Sequence, residues 1–230
     1  LLAYYTGTDL SADELHAMGL SEVARIKGEM REAMAELGYP VNLSMPELNQ
    51  RISADSPSLN GLERLDKYKA ILAAAKQAAE VYFDLRTSAD VEIQTVRSGP
   101  PAYYILPKPD SDEPGFMPVN QALSPQLVNY NEYVLTHHET IPGHHTQLSL
   151  AQELDLPALQ RFYCVNPAMQ EYALQAYAEG WAWYGENLAY EMGLYEGEPL
   201  ANLGRLRLHL FRAVRMVVDT GLHAKGWTLD

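Results

Sequence analysis

Thr136-His137-His138-Glu139-Thr140-Ile141-Pro142-Gly143-His144-His145 holds four of the chain's seven histidines in ten residues, set around one glutamate and interrupted by Pro-Gly. Imidazole is the commonest protein ligand for zinc, and hydrolytic zinc sites keep the base that activates water directly after the first ligand. The stretch reads as a metal site carried on helix, of the kind that cuts peptides.

The spacing is not the usual one. In H-E-x-x-H the two histidines lie four apart on one helix face, whereas His144 and His145 follow His138 by six and seven positions. On a regular helix six steps leave side chains about 120° apart, and seven separate them by roughly 10 Å along the axis. Both are incompatible with bonds of about 2 Å to one ion. The insertion must be absorbed between residues 139 and 144, where Pro142 lacks an N–H and Gly143 accepts unusual backbone angles. His144 is preferred to His145 because a smaller insertion then has to be accommodated. His137 leaves the helix about 100° from His138 and reads as a packing neighbour.

A third ligand is expected from another helix. Glu179, in Ala178-Glu-Gly-Trp-Ala182, has Gly180 for close approach and Trp181, Trp183 and Tyr184 around it, and a carboxylate in apolar surroundings needs a charged partner. Glu186, seven residues on, shares its face and suits orientation of a ligand imidazole. Glu139 is then the general base, taking a proton from water and passing it to the leaving amine. Arg215, Asp219 and His223 follow at i, i+4, i+8. They suit a hydrogen-bonded chain in which His223 serves the oxyanion, Asp219 orients it, and Arg212 or Arg215 grips a substrate carboxylate. Read as structure alone, the same glutamates dot a solvated face and the arginine, aspartate and histidine form a surface pair with a helix cap.

Outward from the cluster the pattern is helical. Ser11 with Glu14 has capping-box spacing, Ser21 opens a second helix ending at Gly38 and Pro40, and a third covers about 46–52. A long helix after Ser58 places Leu62, Leu65, Tyr68, Leu72, Ala75, Ala79 and Tyr82 on one face, with Arg64 off it. Val91, Ile93 and Thr95 alternate with polar residues, Ser98-Gly-Pro-Pro101 turns the chain, and Ala102–Leu106 follows, so an antiparallel pair of strands is expected. The second of these, with Tyr103 to hold substrate and Tyr104 to assist the oxyanion, is the candidate edge for an extended peptide. The stretch 107–125 reads as a loop. Helices then continue to the end, broken at Pro157, Asn166-Pro167, Gly193 and Pro199. The expected organisation is one mostly helical domain over 1–230: N-terminal helices (1–88), hairpin and loop (89–130), and metal-site helices (131–230).

The bulk numbers agree with an ordered, non-nucleic-acid-binding chain. Of 230 residues 47% are hydrophobic, and 30 acidic against 17 basic residues give −13, the wrong sign for nucleic acid or an anionic membrane surface. The single Cys164 excludes an intrachain disulfide and a Cys-rich zinc site. No apolar run reaches the roughly 20 residues of a membrane span. Leu1 is not Met and no signal-like segment follows it, so a processed or trimmed chain is expected, which leaves cytoplasm and periplasm both open.

HHETIPGHHTQ, AEGWAWYGENLAYEMG and RMVVDTGLHAKGW together resemble the bacterial family known as domain of unknown function 885, and the opening TDLSADELHAMGLSEVARIKGEM and the AYYILP segment are similar to it too. The resemblance implies a mainly helical fold like the carboxypeptidase Taq family, within the zincin-like gluzincin group of zinc peptidases. The segment containing Glu179 is also similar to the aminopeptidase EGFA, whose glutamate binds zinc. It further implies that members extend past Gly226-Trp227, so that 230 residues represent a fragment. The expected function is hydrolysis of short peptides with one Zn2+ held by His138, His144 and Glu179, of carboxypeptidase or dipeptidase type. The rivals are a non-catalytic domain that binds metal or peptide, and a metal-dependent amide or ester hydrolase with other substrates.

Overall fold

The computed structural model describes residues 2–56, 59–108, 111–123, 131–157 and 175–228. Ser58, Pro125, Cys164 and the Asn166-Pro167 break lie outside the described residues. The protein is mainly helical: α1 (Leu2–Thr6), α2 (Ala12–Glu36), α3 (Met45–Asp55) and α4 (Gly61–Tyr82) precede strands β1 (Val91–Val96) and β2 (Gly115–Asn120). Then come α5 (Asn131–Glu139), α6 (His144–Glu153), α7 (Gln175–Glu191) and α8 (Pro199–Ala224).

Three helix starts are set by capping boxes, Ser11 with Glu14, Ser44 with Glu47 and Asn60 with Glu63. In each the cap side chain accepts from a first-turn N–H and the glutamate accepts from the cap's own N–H, which satisfies donors that the helix leaves over. Ser21 does not open a new helix, because α2 runs through it as one unit of 25 residues. The reason is packing against α8. Gly19 is buried there, and a Cβ on it would stand 2.7 Å from Val217 Cγ2, so the glycine that weakens the helix locally also lets α8 approach.

Two apolar cores result. The first gathers Ile26, Met30 and Met34 of α2, Leu48 and Ile52 of α3, Ala189 of α7, and Leu203, Leu206 and Leu210 of α8. The second packs Tyr68 and Leu72 of α4 on Val91 and Ile93 of β1 and Met117 and Val119 of β2. Short α5 lies between them, with Tyr133 against the first core and Leu135 against the second. The α4 face differs from the expected one: Leu62 and Tyr82 are exposed, whereas Arg64 is buried and paired with the fully buried Glu132 of α5. A buried guanidinium needs such a partner, and the pair ties α4 to α5.

The β element is also different. β1 and β2 are parallel, in register from Val91 opposite Gly115 to Val96 opposite Asn120, and β2 arises inside the stretch expected to be loop. The expected second strand, 102–106, instead flanks β2 through isolated antiparallel bridges, Ala102 with Val119 and Ile105 with Phe116. Ile105 and Phe116 exchange both main-chain bonds at 2.8 Å. Two residues on, the same register would require an N–H from Pro118, which has none, so the ladder stops short of a full strand. Among the described residues no helix is long and apolar enough to cross a membrane.

Candidate metal centre

The insertion between His138 and His144 is absorbed by a break. α5 ends at Glu139 and α6 starts at His144, and two bonds reach six residues back across the gap: the Gly143 N–H donates to His137 O at 3.0 Å and the Thr146 N–H to Thr140 O at 3.4 Å. This widened turn is crowded. A Cβ on Gly143 would fall 1.9 Å from His138 O and 2.4 Å from His137 O, so only glycine fits. Gly185 of α7 packs against the same point, where its own Cβ would lie 3.2 Å from Gly143 Cα. Trp181 closes the turn from α7, its indole N–H donating to Pro142 O at 2.8 Å.

The break throws the two rings together: His138 and His144 have centroids 4.8 Å apart at 82°. One nitrogen from each and one oxygen of Glu139 lie within 4.8 Å of one another, and all three residues are buried. Glu179 of α7 completes the group, with Oε2 3.3 Å from His138 Nε2 and Oε1 3.6 Å from His144 Nε2. Bonds of about 2.0–2.2 Å in a tetrahedron place neighbouring donor atoms roughly 3.3–3.6 Å apart. Each Glu179 oxygen thus stands from one imidazole nitrogen at about the separation of two neighbouring ligands of a small divalent ion, and His144 Nε2 is too far from Glu179 for a hydrogen bond. Glu139 is beside this group, on the same turn as His138.

Glu186 of α7 is fully buried, and each of its oxygens accepts two bonds. Oε1 takes His138 Nδ1 at 2.7 Å and Arg212 Nη2 at 2.8 Å, while Oε2 takes His209 Nε2 at 2.9 Å and Arg212 Nη1 at 3.1 Å. With Nδ1 donating to Glu186, His138 presents Nε2 to Glu179, the orientation a metal-ligating histidine needs. Burial would raise the Glu186 pKa, but the bonds from His138 and His209 and the charge of Arg212 hold it at about 2. Burial works against a charged His138 as well, yet Glu179 and Glu186 lift it to about 9. Burial, then the charge on His138, brings His144 down to about 4. Burial also pushes the Glu139 carboxyl up to about 7. Two imidazoles facing two carboxylates form a donor set suited to a divalent cation such as zinc.

The remaining histidines of the cluster have other partners. His137 is fully buried against Tyr133 and Tyr195, its Nδ1–H donating to Ile141 O at 3.0 Å. His145 turns to the far side of α6, with Nδ1 2.8 Å from the Tyr104 hydroxyl and 3.1 Å from Ser149 Oγ. The Tyr104 hydroxyl is therefore engaged with His145 and Ser149, and both Tyr103 and Tyr104 line the cleft over the His-Glu cluster. That cleft, about 390 Å³, is bounded by 102–106, α5, α6 and α7.

The candidates on α8 fall elsewhere. Arg212 does not face the cleft; its fork is spent on Glu186. Arg215 lies over the Phe211 ring at 5.7 Å on the exposed face. Asp219 and His223, with side chains 67% and 78% exposed, sit 3.7 Å apart on that face and do not line the cleft. The polar stripe that reaches the site is Arg205, His209 and Arg212, at i, i+4, i+7. His209 was the residue missed, although its spacing from Arg212 carried the signal.

A mainly helical protein with a His-Glu cluster at a broken helix is the class these observations define. The chain belongs to the family described as "Bacterial protein of unknown function (DUF885)", whose model matches residues 1–230. It is similar in structure to a "putative lipoprotein" from Colwellia psychrerythraea, with 33% identity and a TM-score of 0.82 over 99% of this chain and 39% of that one. A second similar structure is a "putative lipoprotein of unknown function" from Shewanella oneidensis, at 21% identity and a TM-score of 0.72, covering 99% of this chain and 43% of that one. The chain thus spans about two fifths of the length of these relatives. No curated protein matches it.

Proposed function

We propose that this chain carries the centre of a zinc-dependent hydrolase of peptide bonds, related in plan to the gluzincins and the carboxypeptidase Taq family. The observation that carries the reading is the Glu179 carboxylate spanning both Nε2 atoms, at 3.3 Å from His138 and 3.6 Å from His144. His138, His144 and Glu179 hold the ion, with Glu186 fixing the tautomer of His138. Zinc, when bound, supplies Lewis-acid polarisation of the scissile carbonyl and acidifies water. Glu139 takes the proton from the attacking water and delivers it to the departing amine.

The open cleft beside the group supports catalysis over a closed structural site. The 102–106 segment along the cleft suits an extended substrate: Ile105 spends both main-chain bonds on β2, so the peptide groups of its neighbours turn the other way. Dialysis against a chelator tests the reading. Cleavage of short peptides should fall by about a hundredfold or more and return with one equivalent of zinc. Cleavage that persists after the metal is fully removed would refute it.

A further inference from the structure

Beside the imidazole pair the cleft has an apolar wall. Leu148 of α6 and Ala178 of α7 are buried against each other, with Leu106 packed on them, and all three line the cleft. The wall adjoins the ion site by construction. Leu148 is one helical turn beyond His144 on the same face, and Ala178 directly precedes Glu179. A substrate whose carbonyl reaches the imidazole pair therefore places a neighbouring side chain against Leu106, Leu148 and Ala178.

Charge sharpens the selection. The described lining of the cleft includes the carboxylates of Glu139 and Glu179 and neither lysine nor arginine. An acidic side chain entering it would meet the Glu139 and Glu179 carboxylates and find no lysine or arginine among the described lining to pair with. The arginines once eligible for that duty, Arg212 and Arg215, are on Glu186 and on the outer face of α8.

Resting on the proposed peptide-hydrolase reading, we infer that this cleft selects substrates carrying an uncharged apolar side chain, of the leucine or phenylalanine class, next to the scissile bond. The selectivity resides in Leu148, Ala178 and Leu106. None of them contacts the reacting atoms, so they determine specificity without being catalytic residues.

The test uses binding, so that it does not depend on turnover. The zinc-loaded chain is titrated calorimetrically with N-acetylated glycine, leucine, phenylalanine and glutamate hydroxamates, which share one metal-chelating group and differ in side chain. Leucine and phenylalanine should bind about tenfold or more tighter than glycine, the scale expected when an apolar side chain leaves water, and glutamate should bind more weakly than glycine. Leu148→Arg should reverse the order of leucine and glutamate while zinc content stays the same. If that variant does not fold by circular dichroism, Leu106→Arg carries the same expectation. Four affinities within twofold of one another, or glutamate tightest in the unaltered protein, would overturn the inference and leave the metal site standing. A chain that takes up zinc yet binds no hydroxamate, or takes up no zinc, would remove the hydrolase reading and this one together.

Discussion

Glu139→Gln is expected to keep its zinc and lose peptide cleavage. The substitution conserves shape at a buried position, so the α5 to α6 break and the two imidazoles should remain in place. What disappears is the proton acceptor, and removal of a positioned general base typically costs about 10²–10⁴ in rate. Zinc affinity should stay within about threefold of the unaltered protein, because Glu179 and not Glu139 is assigned as the carboxylate ligand, where loss of a metal ligand's support costs about 10–100-fold. Paired measurement of turnover and zinc affinity decides between the roles. A large loss of zinc would make Glu139 a ligand, and unchanged turnover would exclude it as the base.

Gly143→Ala should be among the most damaging single-methyl additions available. The new Cβ would lie 1.9 Å from His138 O and 2.4 Å from His137 O, both backbone atoms that no side-chain rotation can clear. Either the end of α5 or the start of α6 has to move, and Gly185 blocks retreat toward α7. Overpacking a well-filled site costs about 1–3 kcal/mol or more, which for a chain of this size lowers Tm by about 2–4 °C for each kcal/mol. A fall of roughly 5–10 °C is expected, together with a loss of zinc affinity of about a hundredfold as His144 shifts from His138. Melting within 2 °C of the unaltered chain, at about the resolution of such a comparison, would show that the turn is less confined than its geometry indicates.

The damage expected at Gly143 also explains how the break could be read from residue types. Two histidines six positions apart, His138 and His144, cannot serve one ion on a regular helix, and Pro-Gly is the pair that permits a departure from it. The outcome, two helices linked by bonds reaching six residues back, lies within what that chemistry allows. Helical content was legible for a similar reason, since the capping box at Ser11 is local and carries its own satisfaction of donors.

Tertiary features were less legible. Ser21 resembles a helix start, but the demand of α8 on Gly19 keeps α2 continuous. Phe116-Met117-Pro118-Val119 was hidden among prolines and aspartates, and its parallel partner lies more than twenty residues upstream, a pairing that no turn chemistry announces. Arg64 looked like a solvated charge until Glu132 appeared beside it. On α8 two polar stripes were available from one sequence, and periodicity alone does not say which faces inward. Arg215, Asp219 and His223 were chosen, whereas Arg205, His209 and Arg212 are the set that reaches Glu186 and Asn187.

Equilibrium dialysis against zinc probes the proposed binding of one ion by His138, His144 and Glu179. The unaltered chain should retain one zinc per molecule, and Glu179→Ala should retain markedly less under the same conditions while melting normally. No zinc on the unaltered chain, or equal zinc on both, would rule out this ligand set.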